Sequence, residues 1–149
     1  MKVYVASSWS NPRQPKVVAR LRAEGHTVYD FRYPHGDSKG FAWWDIDPNW
    51  QSWSPAEFTA ALKHPLAQAG YISDSLALDA CDVAVLVLPC GRSSHLELGY
   101  ALGAGKYGII LLLDKPRPEL MYNLADLLTP SLEEVVASLK DPRRYLHKG

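Results

Sequence analysis

Val83-Ala84-Val85-Leu86-Val87-Leu88 is the stretch on which the fold turns. Six consecutive apolar residues, β-branched or leucine apart from one alanine, suit a strand covered on both faces. Such strands occur where helices pack on either side of a parallel sheet. The chain then leaves through Pro89-Cys90-Gly91-Arg92-Ser93-Ser94, small and polar, and helical spacing follows over residues 94–106. Residues 108–113 repeat the apolar run as another strand.

Working outward, the same alternation recurs. Lys2–Ala6 reads as a short buried strand, ended by the polar Ser7-Ser8-Trp9-Ser10-Asn11. Pro12 suits an early helical position, and Val17, Val18, Leu21 and Arg22 keep helical spacing up to the terminator Gly25. Residues 26–31 read as a second strand, and Leu66, Ala69, Ile72, Leu76 and Ala80 as a helix after Pro65. Pro116 and Pro118 precede a short helical segment at 120–126, and Ser131-Leu132-Glu133-Glu134 is a capping box opening a last helix. The expectation is an α/β fold: a Rossmann-like, flavodoxin-like parallel sheet of about five strands with helices on both faces. Ligands bind such sheets beyond the carboxyl ends of the strands, which directs attention to residues 7–13, 89–97 and 114–121.

The 149 residues fit one domain, expected to span 1–149. Sixteen Lys and Arg balance sixteen Asp and Glu, which argues against a nucleic-acid or membrane-surface binder working through a broad basic field. No apolar run approaches bilayer length. Cys81 and Cys90 are too few for a disulfide scaffold and lack metal-ligand spacing, so thiols in a reducing cytoplasm, with no metal and no cofactor, are expected. The first turn lacks GxGxxG, and Gly105-Lys106 lacks the rest of a P-loop.

Two features admit two readings each. Seven of the sixteen aromatics fall in the 31–53 loop: Phe31, Tyr33, Phe41, Trp43, Trp44, Trp50 and Trp53. They are either rings packed over a sheet edge or a stacking surface for a flat ligand such as a nucleobase. Glu97 is either the far half of a Ser94-His95-Leu96-Glu97 capping box or a carboxylate at the strand crevice, able to attack an electrophilic carbon. Gly99 and Gly103 in the same helix predict a close backbone approach. Of the histidines, His26, His35, His64 and His147 are scattered, and only His95 stands near the crevice, as a helix-start surface residue.

The chain resembles the nucleoside 2-deoxyribosyltransferase family and its hydrolase relatives acting on deoxynucleoside 5′-monophosphates. The resemblance covers nearly the whole chain in order. Val3-Tyr4-Val5 with the Ser7–Trp9 turn is similar to the family's opening strand and tyrosine, and Arg13-Gln14 to the motif that follows. Asp74, eight residues before Asp82, matches the base-recognising aspartate. Glu97-Leu98-Gly99-Tyr100-Ala101 with Gly105-Lys106 matches the helix bearing the nucleophilic glutamate, and Leu120-Met121 the segment that a neighbouring subunit contributes. Gly91 stands where the transferases carry an aspartate. The 89–97 loop also resembles, with substitutions, PGGxGTxxE of cytokinin-activating nucleotide phosphoribohydrolases.

The resemblance implies cleavage of an N-glycosidic bond in a nucleoside or nucleoside 5′-monophosphate, by hydrolysis or transfer, in a homo-oligomer. Glu97 is the implied nucleophile, Tyr4 its orienting partner and Asp74 the group facing the departing base. Ser7, Ser8, Trp9, Arg13, Trp43, Gly91, Arg92, Ser93, Ser94 and Met121 are the expected substrate-binding residues. A nucleotide-sensing module without catalysis and an NAD glycohydrolase are the alternatives.

Overall fold

A computed structural model describes residues 1–142, so His147 lies outside the described residues. The described residues divide into two compact units, residues 1–30 with 78–142 and residues 31–77.

The first unit is built on a five-stranded sheet, every neighbouring pair parallel. Its strands are β1 (Lys2–Ala6), β2 (Thr27–Asp30), β3 (Val83–Val87), β4 (Tyr107–Leu111) and β5 (Leu127–Thr129), in the order β2-β1-β3-β4-β5. This is the flavodoxin-like order expected of the fold. All five residues of β3 are buried, as its unbroken apolar run requires.

Strand alternation divides the core in two. Val3, Val5, Val83, Val85, Val87, Ile109 and Leu111 form one cluster with Val17, Val18 and Leu21 of α1 (Gln14–Ala23) and Val135, Val136 and Leu139 of α5 (Leu132–Lys140). Tyr4, Ala6, Ala84, Leu86, Gly108 and Ile110 therefore point to the opposite face, where α4 (Arg92–Gly103) packs. Gly108 permits that packing: a Cβ there would stand 2.4 Å from Leu102 Cδ2. Arg20 ties α1 to α5 through two guanidinium nitrogens on Glu133, while its Nε donates to Glu24. Gly25 ends α1 with φ of 90°, a left-handed turn that glycine adopts without strain.

The second unit holds two short 3-10 turns (Trp43–Asp45 and Trp50–Ser52), α2 (Pro55–Ala61) and most of α3 (Pro65–Ala80). Ser54 and Glu57 form a complete capping box at the start of α2. Trp43 is the hub of an aromatic cluster, with ring centroids 4.8 Å from Phe41, 5.7 Å from Trp53 and 5.7 Å from Phe58. Phe41 lies against α3 at Gly70, where a Cβ would come within 2.6 Å of the Phe41 Cβ. Phe41, Trp43 and Trp53 of the 31–53 aromatics thus pack on one another. Tyr33 and Trp44 are exposed, and the Lys39 ammonium lies 5.2 Å from the Trp44 ring centroid.

Among the described residues, no helix is long and apolar enough to cross a membrane.

Candidate functional site

The strand order reverses between β1 and β3, and the loops leaving their carboxyl ends meet there. Asn11, 1% exposed, joins them. Its Nδ2 lies 3.0 Å from Ser7 Oγ, 3.2 Å from the Val87 carbonyl and 3.1 Å from the Pro89 carbonyl. Its Oδ1 accepts the Arg13 amide at 2.9 Å. Ser7 donates its hydroxyl to the Val87 carbonyl at 2.9 Å, and Ser94 donates to the Ser7 carbonyl at 2.8 Å. Ser7 and Ser94, expected to hold substrate, therefore lock the crevice floor with their hydroxyl hydrogens. Asn11 was not among the expected site residues. The Asn-Pro dipeptide marks a turn, but nothing local shows that its amide reaches across to β3.

Helix α4 begins at Arg92 with Gly91 as its N-cap, and no side chain caps it. Ser94 is thus the third helical residue, and the Ser94–Glu97 capping box is not formed. Glu97 follows Ser94 by three positions and precedes Ala101 by four, so it shares the stripe that α4 turns to the sheet with buried Ser94, Leu98 and Ala101. It is half-buried there. Burial pushes the Cys90 thiol up to about 11; the Ser94 hydroxyl draws it down and the Glu97 charge adds to the rise.

Tyr4 is fully buried in β1 on the face covered by α4, its ring stacked on Tyr29 at 5.1 Å. Arg92 and Ser93 are exposed in the first turn of α4. The glycine cap leaves amides there for an anion, which the helix dipole also favours. Arg13 meets Asp114 at 2.5 Å. Ser8 lies 3.2 Å from Ser10 through their hydroxyls, and Trp9 is half-buried.

His95 does more than cover a helix start. Its Nδ1 lies 2.8 Å from the Gly91 carbonyl and its Nε2 2.8 Å from the Tyr122 hydroxyl. Tyr122 belongs to the 3-10 segment Leu120–Leu124, so this pair holds the Met121 segment against the start of α4. Met121 itself is 64% exposed.

Asp74 (on α3) and Trp43 belong to the second unit, both half-buried. An open groove of about 360 Å³ runs along the later part of α4, lined by Gly99, Gly103, Lys106, Leu124 and Asp126 among others. It borders the end of α4 remote from Gly91. Within the described chain nothing comes within 4 Å of a Cβ placed on Gly99 or Gly103, so the close approach expected of them is not made. No cluster of three or more metal-ligating side chains occurs among the described residues.

No family model matches the chain, and no curated protein matches it.

Proposed function

We propose that this protein cleaves the N-glycosidic bond of a nucleoside or nucleoside 5′-monophosphate, with Glu97 as nucleophile. The observation that carries the reading is the start of α4 at Arg92 with Ser94 bonded to Ser7, which separates Glu97 from the helix cap. Glu97 shares the sheet-facing stripe of the helix that starts at the β1–β3 switch point, where this fold binds ligands, and this supports the reading.

Glu97 attacks the anomeric carbon as the base departs, through an oxocarbenium-like transition state, and a glycosyl ester forms. Water completes hydrolysis; a second base completes transfer. Tyr4, on the same sheet face as α4, orients the carboxylate in this reading. Arg13, Arg92 and the first amides of α4 receive a 5′-phosphate where the substrate carries one. The same proposal includes a homo-oligomer, supported by the exposure of Leu120, Met121 and Leu124 beside α4, and a cytoplasmic location, supported by two unbridged thiols.

The test is a panel of nucleosides, nucleoside 5′-monophosphates and NAD, with released base followed by chromatography. Glu97→Gln should lower turnover by about three orders of magnitude while substrate binding persists. Binding without turnover across the panel replaces the reading with a nucleotide-sensing module, and nicotinamide release alone replaces it with an NAD glycohydrolase. Asp74→Asn, run on the same panel, tests the base contact that the resemblance implies.

A further inference from the structure

Arg13 and Asp114 stand on different loops and meet above a third strand. Arg13 follows β1 and Asp114 follows β4, while β3 lies between those strands in the sheet. Their 2.5 Å contact, from Arg13 Nη2 to Asp114 Oδ1, therefore spans the carboxyl end of β3, where the loop to α4 begins. Both ends of the contact are prepared. The Arg13 amide is held by Asn11 Oδ1 at 2.9 Å, and the Arg13 carbonyl accepts the Lys16 and Val17 amides at 3.1 and 3.2 Å. Asp114 has φ of 67°, the only positive value of a non-glycine among the described residues. Aspartate tolerates this left-handed conformation better than most residues.

The two side chains are 40% and 61% exposed, so the pair is open to exchange with solutes. Exposed ion pairs of this kind are weak and screened by salt. A weak carboxylate contact on an arginine whose backbone is held in place is one that a competing oxyanion can displace.

We infer that Asp114 is a specificity-determining residue that occupies the phosphate-binding guanidinium of Arg13 until a ligand's phosphate monoester displaces it. Asp114 thus opposes anionic ligands twice, by engaging Arg13 and by repelling a nearby negative charge. It leaves uncharged ligands unaffected. The inference deepens the proposed function by naming what sets the preference between phosphorylated and unphosphorylated substrates, and it rests on that reading for Arg13 as the phosphate's receiver and for the identity of the phosphate's bearer.

The experiment reads binding, without turnover. Inorganic phosphate is titrated into the full-length ¹⁵N-labelled protein at about 50 mM ionic strength, where screening is moderate, and amide shifts near Arg13 are followed. Asp114→Asn keeps a residue suited to positive φ and should tighten phosphate about three- to tenfold, the scale set by losing a weak ion pair and a like-charge repulsion. Arg13→Gln should weaken phosphate, and in the Arg13→Gln/Asp114→Asn protein most of the gain should vanish. Free ribose should bind all four proteins alike. Unchanged phosphate affinity in Asp114→Asn overturns the inference, as does a full gain that persists without Arg13. Asp114→Gly, which also accepts positive φ, guards against an effect peculiar to asparagine. Success here with no turnover on the substrate panel would refute the glycosidase reading and leave the anion exchange standing.

Discussion

His95 and Tyr122 lie with near-parallel rings, centroids 5.7 Å apart, and Nε2 2.8 Å from the phenol oxygen. The Gly91 carbonyl on the other side of the imidazole can only accept, so Nδ1 carries a hydrogen, and in the neutral ring Nε2 accepts from Tyr122. The imidazole thereby joins three things: the cap of α4, the α4 helix and the 3-10 segment that carries Met121.

Tyr122→Phe keeps the ring contact and removes the hydroxyl. The loss should be about 0.5–1.5 kcal/mol, an ordinary hydrogen bond. It should appear as faster amide exchange confined to residues 120–124 and the first turn of α4, with β3 and β4 unchanged. Uniformly faster exchange across the sheet would show that the pair supports the whole fold rather than this segment.

Two glycines on neighbouring elements should respond to alanine in opposite directions. Gly99 sits in the interior of α4 with open space where a Cβ would go, so Gly99→Ala should stabilise by about 0.5–1 kcal/mol through helix propensity. Gly108 in β4 would place its Cβ 2.4 Å from Leu102 Cδ2 and 2.9 Å from Cγ. Gly108→Ala should destabilise by about 1–3 kcal/mol, as overpacked cores do. Thermal midpoints of the two variants check both signs. A loss of stability in Gly99→Ala would point to a surface brought against α4 by another chain.

The parallel sheet was legible because its central strand is covered on both faces and so carries no polar interruption. Val83–Val87 and Tyr107–Leu111 announce themselves this way. Strand β5 has three residues and one of them is exposed, too short for any periodicity to register. The start of α4 was misleading for a different reason. Ser94-His95-Leu96-Glu97 satisfies the local pattern of a cap, yet the Ser94 hydroxyl is taken by a carbonyl 87 positions away. Tertiary partners of that kind leave no trace in spacing. Ser131 shows the converse: it caps α5 by accepting the Glu134 amide, while the Glu134 carboxylate accepts from Thr129 instead of closing the box. The aromatics of 31–53 were visible as a group, but which rings meet depends on Gly70 admitting Phe41, a contact made by a helix outside the loop.

Asp47 ought to make the second unit sensitive to acid. Its carboxylate accepts the Asn49 amide at 2.8 Å and the Trp53 indole N–H at 2.8 Å, and these bonds, the Asn49 amide foremost, hold it below the usual aspartate range. A carboxyl depressed on folding contributes stability that is fully present above its unfolded pKa and is lost as pH falls through the folded value. The indole N–H resonance of Trp53 should therefore stay constant from neutral pH down to about 4, near the ordinary aspartate value, and shift only below it. Asp47→Asn should remove that acid-dependent shift. A shift of the same size in the variant would assign the transition to another group.

Cys90 offers a reading of the Glu97 charge that needs no substrate. Burial is the main cause of its raised thiol pKa of about 11, and the Glu97 carboxylate adds to it. The thiolate is the reactive form, so near pH 8, below an ordinary thiol's pKa of about 8.5, Cys90 should alkylate far more slowly than an unperturbed cysteine. Glu97→Gln removes the negative charge at almost constant shape. The Cys90 thiolate should then form more readily, and its iodoacetamide rate should rise by a small factor while Cys81 keeps its own rate. Peptide mapping separates the two thiols. An unchanged Cys90 rate would mean that Glu97 is neutral or turned away from the β3–α4 loop, and a carboxylate in either state is no nucleophile for a sugar bound there.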